Sequence, residues 1–521
     1  MSSHTQTAHP EGQLRPRLSK ITMVAMTFAI LNTWICLAGS LSIVLPSGGS
    51  VAFFLGELTA IWPTAGGQYH FQWALTAEKW RKVMSFAVGY INIFGWLTLV
   101  TTEGFFAAQF ISAACVVASK ETYVVAAWKT YSIFMVVLTF GTLSMIFGNR
   151  ILGAWNNLAL YWSIMSVFVA SIVLLSTSDK TDPEFVFATF QNETGWNDGI
   201  AWILGLLQSA LSLIGYDAVL HMTEEMPSPS RDAPLAMVYA VGVGGTTGTI
   251  FILVMLFCLT DLPSIVATKT GLPIVELIFQ ATGSRAGTTF LTLMLAICFI
   301  HGTNGSITSA SRLLYALARD KGVPYHSYFS HIHPKWEVPI RTIILTWVFN
   351  AIFGLLYLGP TVAFNAFISS CTILLNVSYA IPVLTLIIRG RGVLKQFQSP
   401  ERHDTPWEFG KVKGLIINCI AVLYVFVTSI VSISTANIVQ KLTVSQFFCF
   451  PPVLPVTASL MNYVSGVIGI FAVFLICYWV FYGKKIFQGP ELNIILGERP
   501  DLSEITDELA MEEKNIATQK Q

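Results

Sequence analysis

The sequence predicts an all-α protein that crosses a membrane many times, and three observations predict it. The 521 residues are 54% hydrophobic and 11% charged, and a mean hydropathy of +0.63 lies far above that of an ordinary soluble domain. Apolar runs of bilayer-spanning length recur along the chain. Lys and Arg collect in alternate loops between those runs, the bias that orientation in a membrane imposes. A net charge of +1 leaves no basic or acidic field for nucleic acid, so the partner to explain is lipid.

Eleven runs read as spans: 21–45, 83–117, 128–148, 151–175, 200–226, 235–259, 286–311, 342–358, 361–388, 414–436 and 462–482. They divide the chain into a polar tail (1–20), a transmembrane domain (21–485) and a second tail (486–521). The first tail has no apolar core of its own, so the first run is expected to stay as an uncleaved anchor. A twelfth segment, Val51 to Trp62 with Glu57 inside it, has twelve residues and would rise about 18 Å, short of a hydrocarbon core roughly 30 Å thick. Charge parity nevertheless favours a crossing there. With it, 24 of the 30 basic residues fall on one side together with both termini, and without it the better split is 21 against 9. The loop 176–199 then lies outside and carries the sequon Asn192-Glu193-Thr194, a candidate glycosylation site. Either the segment is a tilted half-span that recruits Pro63 to Phe71, or the chain lacks residues that related chains possess, and the second is preferred.

An ionisable group inside a span is a functional candidate because its burial is costly unless it is paired or wetted. Glu103, beside Thr101 and Thr102, sits near the middle of 83–117. It reads either as a group that handles substrate or protons or as a hydrogen-bonded carboxyl. In LSLIGYDAVLHMTEEMPSPSRDAP, Gly215 and Asp217 interrupt an apolar run, as expected where a helix breaks and frees peptide groups to bind a ligand. The plain alternative is an aspartate capping the last turns. Tyr216 would supply an aromatic face to a cation, or simply pack. A similar interruption follows Ile30, at Asn32, Thr33 and Trp34, and the pair hints at a duplicated design. Polar side chains of this kind also bond neighbouring helices.

Other motifs point to structure. GVGGTTG (242–248) suits helix packing, and HIHP (331–334) lacks a third metal ligand. The eight cysteines lie apart, without metal-ligand spacing, and read as small core residues. No nucleophile–base pair stands out in any span, so no catalytic residue, metal or cofactor is expected and the chain is read as a non-enzyme.

ELTAIWPTAGGQYHF (57–71), GYDAVLHMTEEMPSPSRDAP (215–234) and SASRLLYALARDKGVP (309–324) together resemble the amino acid, polyamine and organocation transporter superfamily. FAILNTWICLAGSLSIVLPSGG (28–49) and INIFGWLTLVTTEGFFAAQF (91–110) resemble its fungal amino acid, choline and γ-aminobutyrate branch, and the likeness covers about residues 20 to 485. The resemblance implies an inverted five-helix repeat (LeuT-like) plus two helices, about 12 spans with the second abnormally short. It implies a permease working by alternating access on amino acids, choline or γ-aminobutyrate, with H+ or Na+ as coupling ion. Substrate would lie between the breaks at Asn32, Thr33, Trp34 and at Gly215, Tyr216, Asp217, with Glu103 close by and Thr308 and Ser309 offering hydroxyls to a sodium ion. Glu224, Glu225, Arg312, Arg319 and Asp320 would lie on the cytoplasmic side, as gating pairs or as interface anchors. The expected location is the plasma membrane, with a vacuolar or other internal membrane as the alternative. The chain departs from the pattern twice. About twenty residues of a second helix are missing by the span-length argument, and no lysine occurs from Ile151 to Asp179, where some proton-coupled relatives carry one. A shortened second helix leaves a non-transporting nutrient receptor, or an inactive truncated carrier, as the alternative function.

Overall fold

A computed structural model describes residues 17–38, 58, 60–189, 198, 212–261, 264–265, 268, 270–359, 361–396, 409–430 and 464–490. Helices dominate, and no strand occurs among the described residues. Ser19 caps α1 (Lys20–Leu31) by accepting from the Thr22 amide at 3.2 Å. The helix ends where Asn32 turns left-handed (φ 42°), a conformation that asparagine tolerates better than most residues, and α2 (Thr33–Ala38) restarts it. The expected run 21–45 is therefore two helices, and its residues beyond Ala38 lie outside the described ones.

Of Val51 to Trp62 only Leu58 and Ala60 to Trp62 are described, so Glu57 and the proposed shortening lie outside the described residues. Pro63 to Phe71 do not extend one helix. The chain leaves helical geometry at Trp62, turns through Ala65 to Gly67, and starts the short helix α3 (Gln68–Leu75). Pro63 disfavours helix in the residue before it, and Gly67 adopts a positive φ of 54°. This turn and helix are almost wholly buried.

The central pair of helices is α4 (Glu78–Ala118) and, after α5 (Ala127–Phe147), α6 (Leu152–Thr177), the short α7 (Ala218–His221), α8 (Pro229–Phe257) and α9 (Pro273–Thr282), the long α10 (Arg285–Arg319). Contact between α4 and α10 is the most extensive in the fold. Next come α11 (Ile340–Gly354), α12 (Thr361–Arg389), α13 (Lys411–Ile430) and α14 (Val464–Tyr478). Eight helices among the described residues are long and apolar enough to cross a bilayer. Glycines let the central helices approach: a β-carbon at Gly95 would sit 2.7 Å from Leu375, and one at Gly305 2.7 Å from Ile30. Outward faces carry exposed apolar side chains such as Phe140, Phe168, Ile172, Ile470 and Val473, as lipid contact requires.

Most predicted runs match helices closely, with one difference in kind. Within 200–226 the described part, from Ser212 onward, is turn and irregular chain with one α-helical turn at Ala218 to His221 and a 3-10 turn at Thr223 to Glu225. The amphipathic α9 lies between two predicted runs. Its ten residues are too few to read as a span.

Candidate functional site

The two interruptions meet. At Gly215 (φ 89°) a β-carbon would stand 3.0 Å from Ile30 Cγ2 and 3.3 Å from Leu99 Cδ2, so the second break lies against the end of α1 and the middle of α4. Gly215 donates its backbone N–H to the Tyr379 hydroxyl of α12 at 3.2 Å, and the Tyr216 and Tyr379 rings lie 5.0 Å apart. The Tyr216 hydroxyl is buried and has no partner among the described residues.

Asp217 is fully buried at the centre of a polar hub. Its Oδ1 accepts from the Tyr379 hydroxyl at 2.6 Å, and its Oδ2 accepts from Gln68 Nε2 at 2.7 Å, Trp96 Nε1 at 3.1 Å and Asn92 Nδ2 at 3.5 Å. One carboxylate thus ties the broken helix to α3, α4 and α12. Such a group needs several donors to remain charged away from water. In this conformation its oxygens are engaged by the protein itself.

At the first break, Asn32 Nδ2 donates to Glu103 Oε2 at 2.9 Å and to the Cys298 carbonyl at 3.4 Å, while Asn32 Oδ1 is buried without a partner among the described residues. Gly302 makes room for this pair: a β-carbon there would lie 2.5 Å from both Asn32 Nδ2 and Glu103 Oε2. Thr33 Oγ1 faces Gly244 of the GVGGTTG stretch, where a β-carbon would come within 2.6 Å. Trp34 is directed elsewhere, donating Nε1 to Ser163 Oγ at 2.9 Å and meeting Phe251 edge-on at 5.0 Å.

Thr308 donates to the Asn304 carbonyl at 2.9 Å and to Met145 Sδ at 2.5 Å, and Ser309 donates to the Gly305 carbonyl at 3.2 Å. Each hydroxyl thus bonds back along its own helix. Asn192 lies outside the described residues.

One face of the bundle carries a group of ion pairs. Arg312, fully buried, donates Nε to Glu225 Oε1 at 3.0 Å. Arg319 grips both Glu224 oxygens at 2.9 and 3.1 Å. The Glu225 carbonyl accepts the backbone N–H groups of Arg17 and Leu18 at 2.8 and 2.9 Å, and Arg17 pairs with Glu337. Asp320 Oδ2 accepts from the Tyr69 hydroxyl at 2.9 Å and lies 2.8 Å from His70 Nε2. Burial pushes the Glu224 carboxyl up, but the Arg319 guanidinium beside it more than offsets this, and the group titrates below the ordinary glutamate range. On the opposite face a cavity of about 210 Å³ opens among Val117, Glu121, Glu276, Phe279 and Arg285.

Sequence reasoning missed Gln68, Trp96, His221, Gly302 and Tyr379. His221 stands four residues after Asp217, a helical spacing visible in the sequence. Gln68 lies inside the quoted PTAGGQYHF stretch, whereas Tyr379 and Gly302 have no local signal.

The amino acid permease family model matches residues 18–473. A Macrophomina phaseolina (strain MS6) protein with the provisional name amino acid/polyamine transporter is 33% identical over 461 residues, covering 85% of this chain and 97% of that protein. The choline transporter of Saccharomyces cerevisiae is 30% identical over 506 residues, covering 93% and 84%. Amino-acid permease BAT1 of Arabidopsis thaliana is 26% identical over 515 residues, covering 93% and 95%. With its apolar helices, its two facing interruptions and a match over most of its length, the chain belongs to the amino acid permease family of integral membrane transporters.

Proposed function

We propose that the protein is a secondary active carrier of small zwitterions or amines, among amino acids, choline and γ-aminobutyrate, that binds its substrate between the breaks at Asn32 and at Gly215 to Asp217. The observation that carries this is the contact of the two breaks at Ile30 and Gly215, flanked by unpartnered buried polar atoms on Asn32 and Tyr216. Glu103 is the group for the amine end, and Tyr216 adds an aromatic face to a cation. Peptide groups freed at the breaks serve the carboxylate or polar end. The names of the relatives support this substrate range.

The ion-paired face is the cytoplasmic gate, closed here, and the cavity side is the outer mouth. The basic bias puts both termini in the cytoplasm, and the expected site of action is the plasma membrane. H+ or Na+ drives the cycle.

Uptake of tritiated choline, γ-aminobutyrate and a mixed amino acid panel in transporter-deficient cells tests the reading. At least one is expected to accumulate, and Glu103→Gln is expected to raise the KM for it at least tenfold. Uptake of none by protein shown to reach the membrane overturns the reading.

A further inference from the structure

His221 stands one helical turn beyond Asp217, and both side chains are fully buried, with Nε2 3.4 Å from Asp217 Oδ2. The other ring nitrogen, Nδ1, lies 3.0 Å from the Ala65 carbonyl oxygen. A carbonyl only accepts, so Nδ1 carries a hydrogen. In a neutral imidazole Nε2 is then a bare lone pair, and it has no hydrogen-bond partner among the described residues. It stands 3.4 Å from an oxygen of a carboxylate that is not free to turn away. Oδ1 is held by Tyr379, and Oδ2 by Gln68 and Trp96.

Two acceptors held 3.4 Å apart in a buried site are unfavourable, and one proton removes the conflict. Placed on Nε2, it gives an imidazolium beside a carboxylate, a pair with no net charge. Without it, the site holds one negative charge that only neutral donors offset. The surrounding elements supply Asn92 and Trp96 from α4, Gln68 from α3, Tyr379 from α12 and the neighbouring Tyr216, none of them cationic. The ring also stands edge-on to Trp96 at 5.6 Å.

We propose that His221 and Asp217 form the binding site of a coupling proton, taken up with substrate on one side of the membrane and released on the other. The proposal rests on the carrier reading above. The site is placed to act on the gate because Ala65, which holds the ring, belongs to the same turn as Thr64. Thr64 Oγ1 lies 2.8 Å from His70 Nδ1, and the other nitrogen of His70 reaches Asp320 on the closed face. Losing the proton replaces attraction by repulsion within the broken helix itself, beside the turn whose Ala65 carbonyl holds the ring. His70 differs in kind, since both of its ring nitrogens are already bonded.

The test uses purified full-length protein in liposomes under an imposed pH gradient, with labelled choline, γ-aminobutyrate or an amino acid of the panel as probe and a trapped dye reading internal pH. Wild-type protein is expected to couple probe accumulation to proton entry. His221→Gln is expected to lower proton-driven accumulation at least tenfold more than it lowers probe exchange between equal pools, while His331→Gln, on an exposed loop, keeps the proton-to-probe ratio. An unchanged ratio in His221→Gln overturns the proposal. So does sodium-driven accumulation without proton movement in the wild type. Absence of flux of every probe in the wild type refutes the carrier reading instead. If the variant does not assemble, nitrogen-15 spectra of histidine-labelled wild-type protein decide: a histidine Nε2 must change protonation when probe is added, and no such change overturns the proposal.

Discussion

At Gly302 a single hydrogen atom decides whether Asn32 and Glu103 can meet. A methyl group there would crowd the Asn32 amide and the Glu103 carboxylate at 2.5 Å, and it would press the Ala29 carbonyl oxygen at 3.0 Å. Overpacking of this kind costs about 1–3 kcal/mol, and here the neighbour that must yield includes backbone at the end of a helix. Gly302→Ala is therefore expected to cut initial uptake, normalised to surface protein, at least tenfold. Gly245, where nothing lies within 4 Å, provides the contrast, and Gly245→Ala should stay within about twofold of wild type. Equal uptake in the two variants would remove the Asn32–Glu103 pair from the mechanism. Glu103 was legible in the sequence as a candidate because a carboxylate within an apolar run is rare, and the structure sets it against Asn32. Gly302 was not, since a glycine in a span reads as ordinary helix packing until the residue opposite it is known. Trp34 shows the converse: its neighbours in the chain mark a break, yet its ring turns to Ser163 and Phe251, a direction that helix periodicity alone does not give.

Among the elements, the face around Arg312 and Arg319 carries two ion pairs of different worth. Arg312 and Glu225 are both shielded from solvent, so removing the carboxylate leaves a buried guanidinium without its counter-charge, at a cost of about 3–5 kcal/mol. Arg319 and Glu224 are each partly exposed, and a pair of that kind contributes about 1 kcal/mol or less. Glu225→Gln should accordingly lower the Tm of the purified protein well beyond the change in Glu224→Gln, and similar shifts would mean that the buried pair is not structural. Because the Glu224 value is lowered in the folded protein, its contribution is present at neutral pH and is lost only as pH falls through that lowered value. The Tm difference between wild type and Glu224→Gln should thus stay flat from about pH 7 to 5, closing only below the ordinary glutamate value of about 4.3. Most of these helices were legible in the sequence because long apolar runs end at charges and prolines. The turn before α3 and the non-helical chain at Ser212 to Asp217 were less so, since their polar groups are satisfied by partners such as His221 and Tyr379, which are remote in sequence.

For the whole molecule, the side of the bilayer that each face meets follows from charge parity through the segment Val51 to Trp62. With a crossing there, 24 of the 30 basic residues share a side, and the ion-paired face, the basic loop around Lys335 and both tails face the cytoplasm. Val124 and the cavity near Glu121 and Arg285 then face outward. Without it, the later loops would lie across the bilayer from the N-terminal tail, which the bonds of Arg17 to Glu225 and Glu337 exclude. Both sites offered for labelling are accessible: Val124 is strongly exposed and Lys335 lies in an exposed loop. In a background with Cys419, Cys449 and Cys477 replaced by serine, Val124→Cys should react with a membrane-impermeant maleimide in intact cells, and Lys335→Cys only after permeabilisation. Cys449 is included because it sits in a predicted loop, and Cys419 and Cys477 because their side chains are exposed. The reverse pattern would place Arg312 and Glu225 on the outside, and the ion-paired face could not then be a cytoplasmic gate.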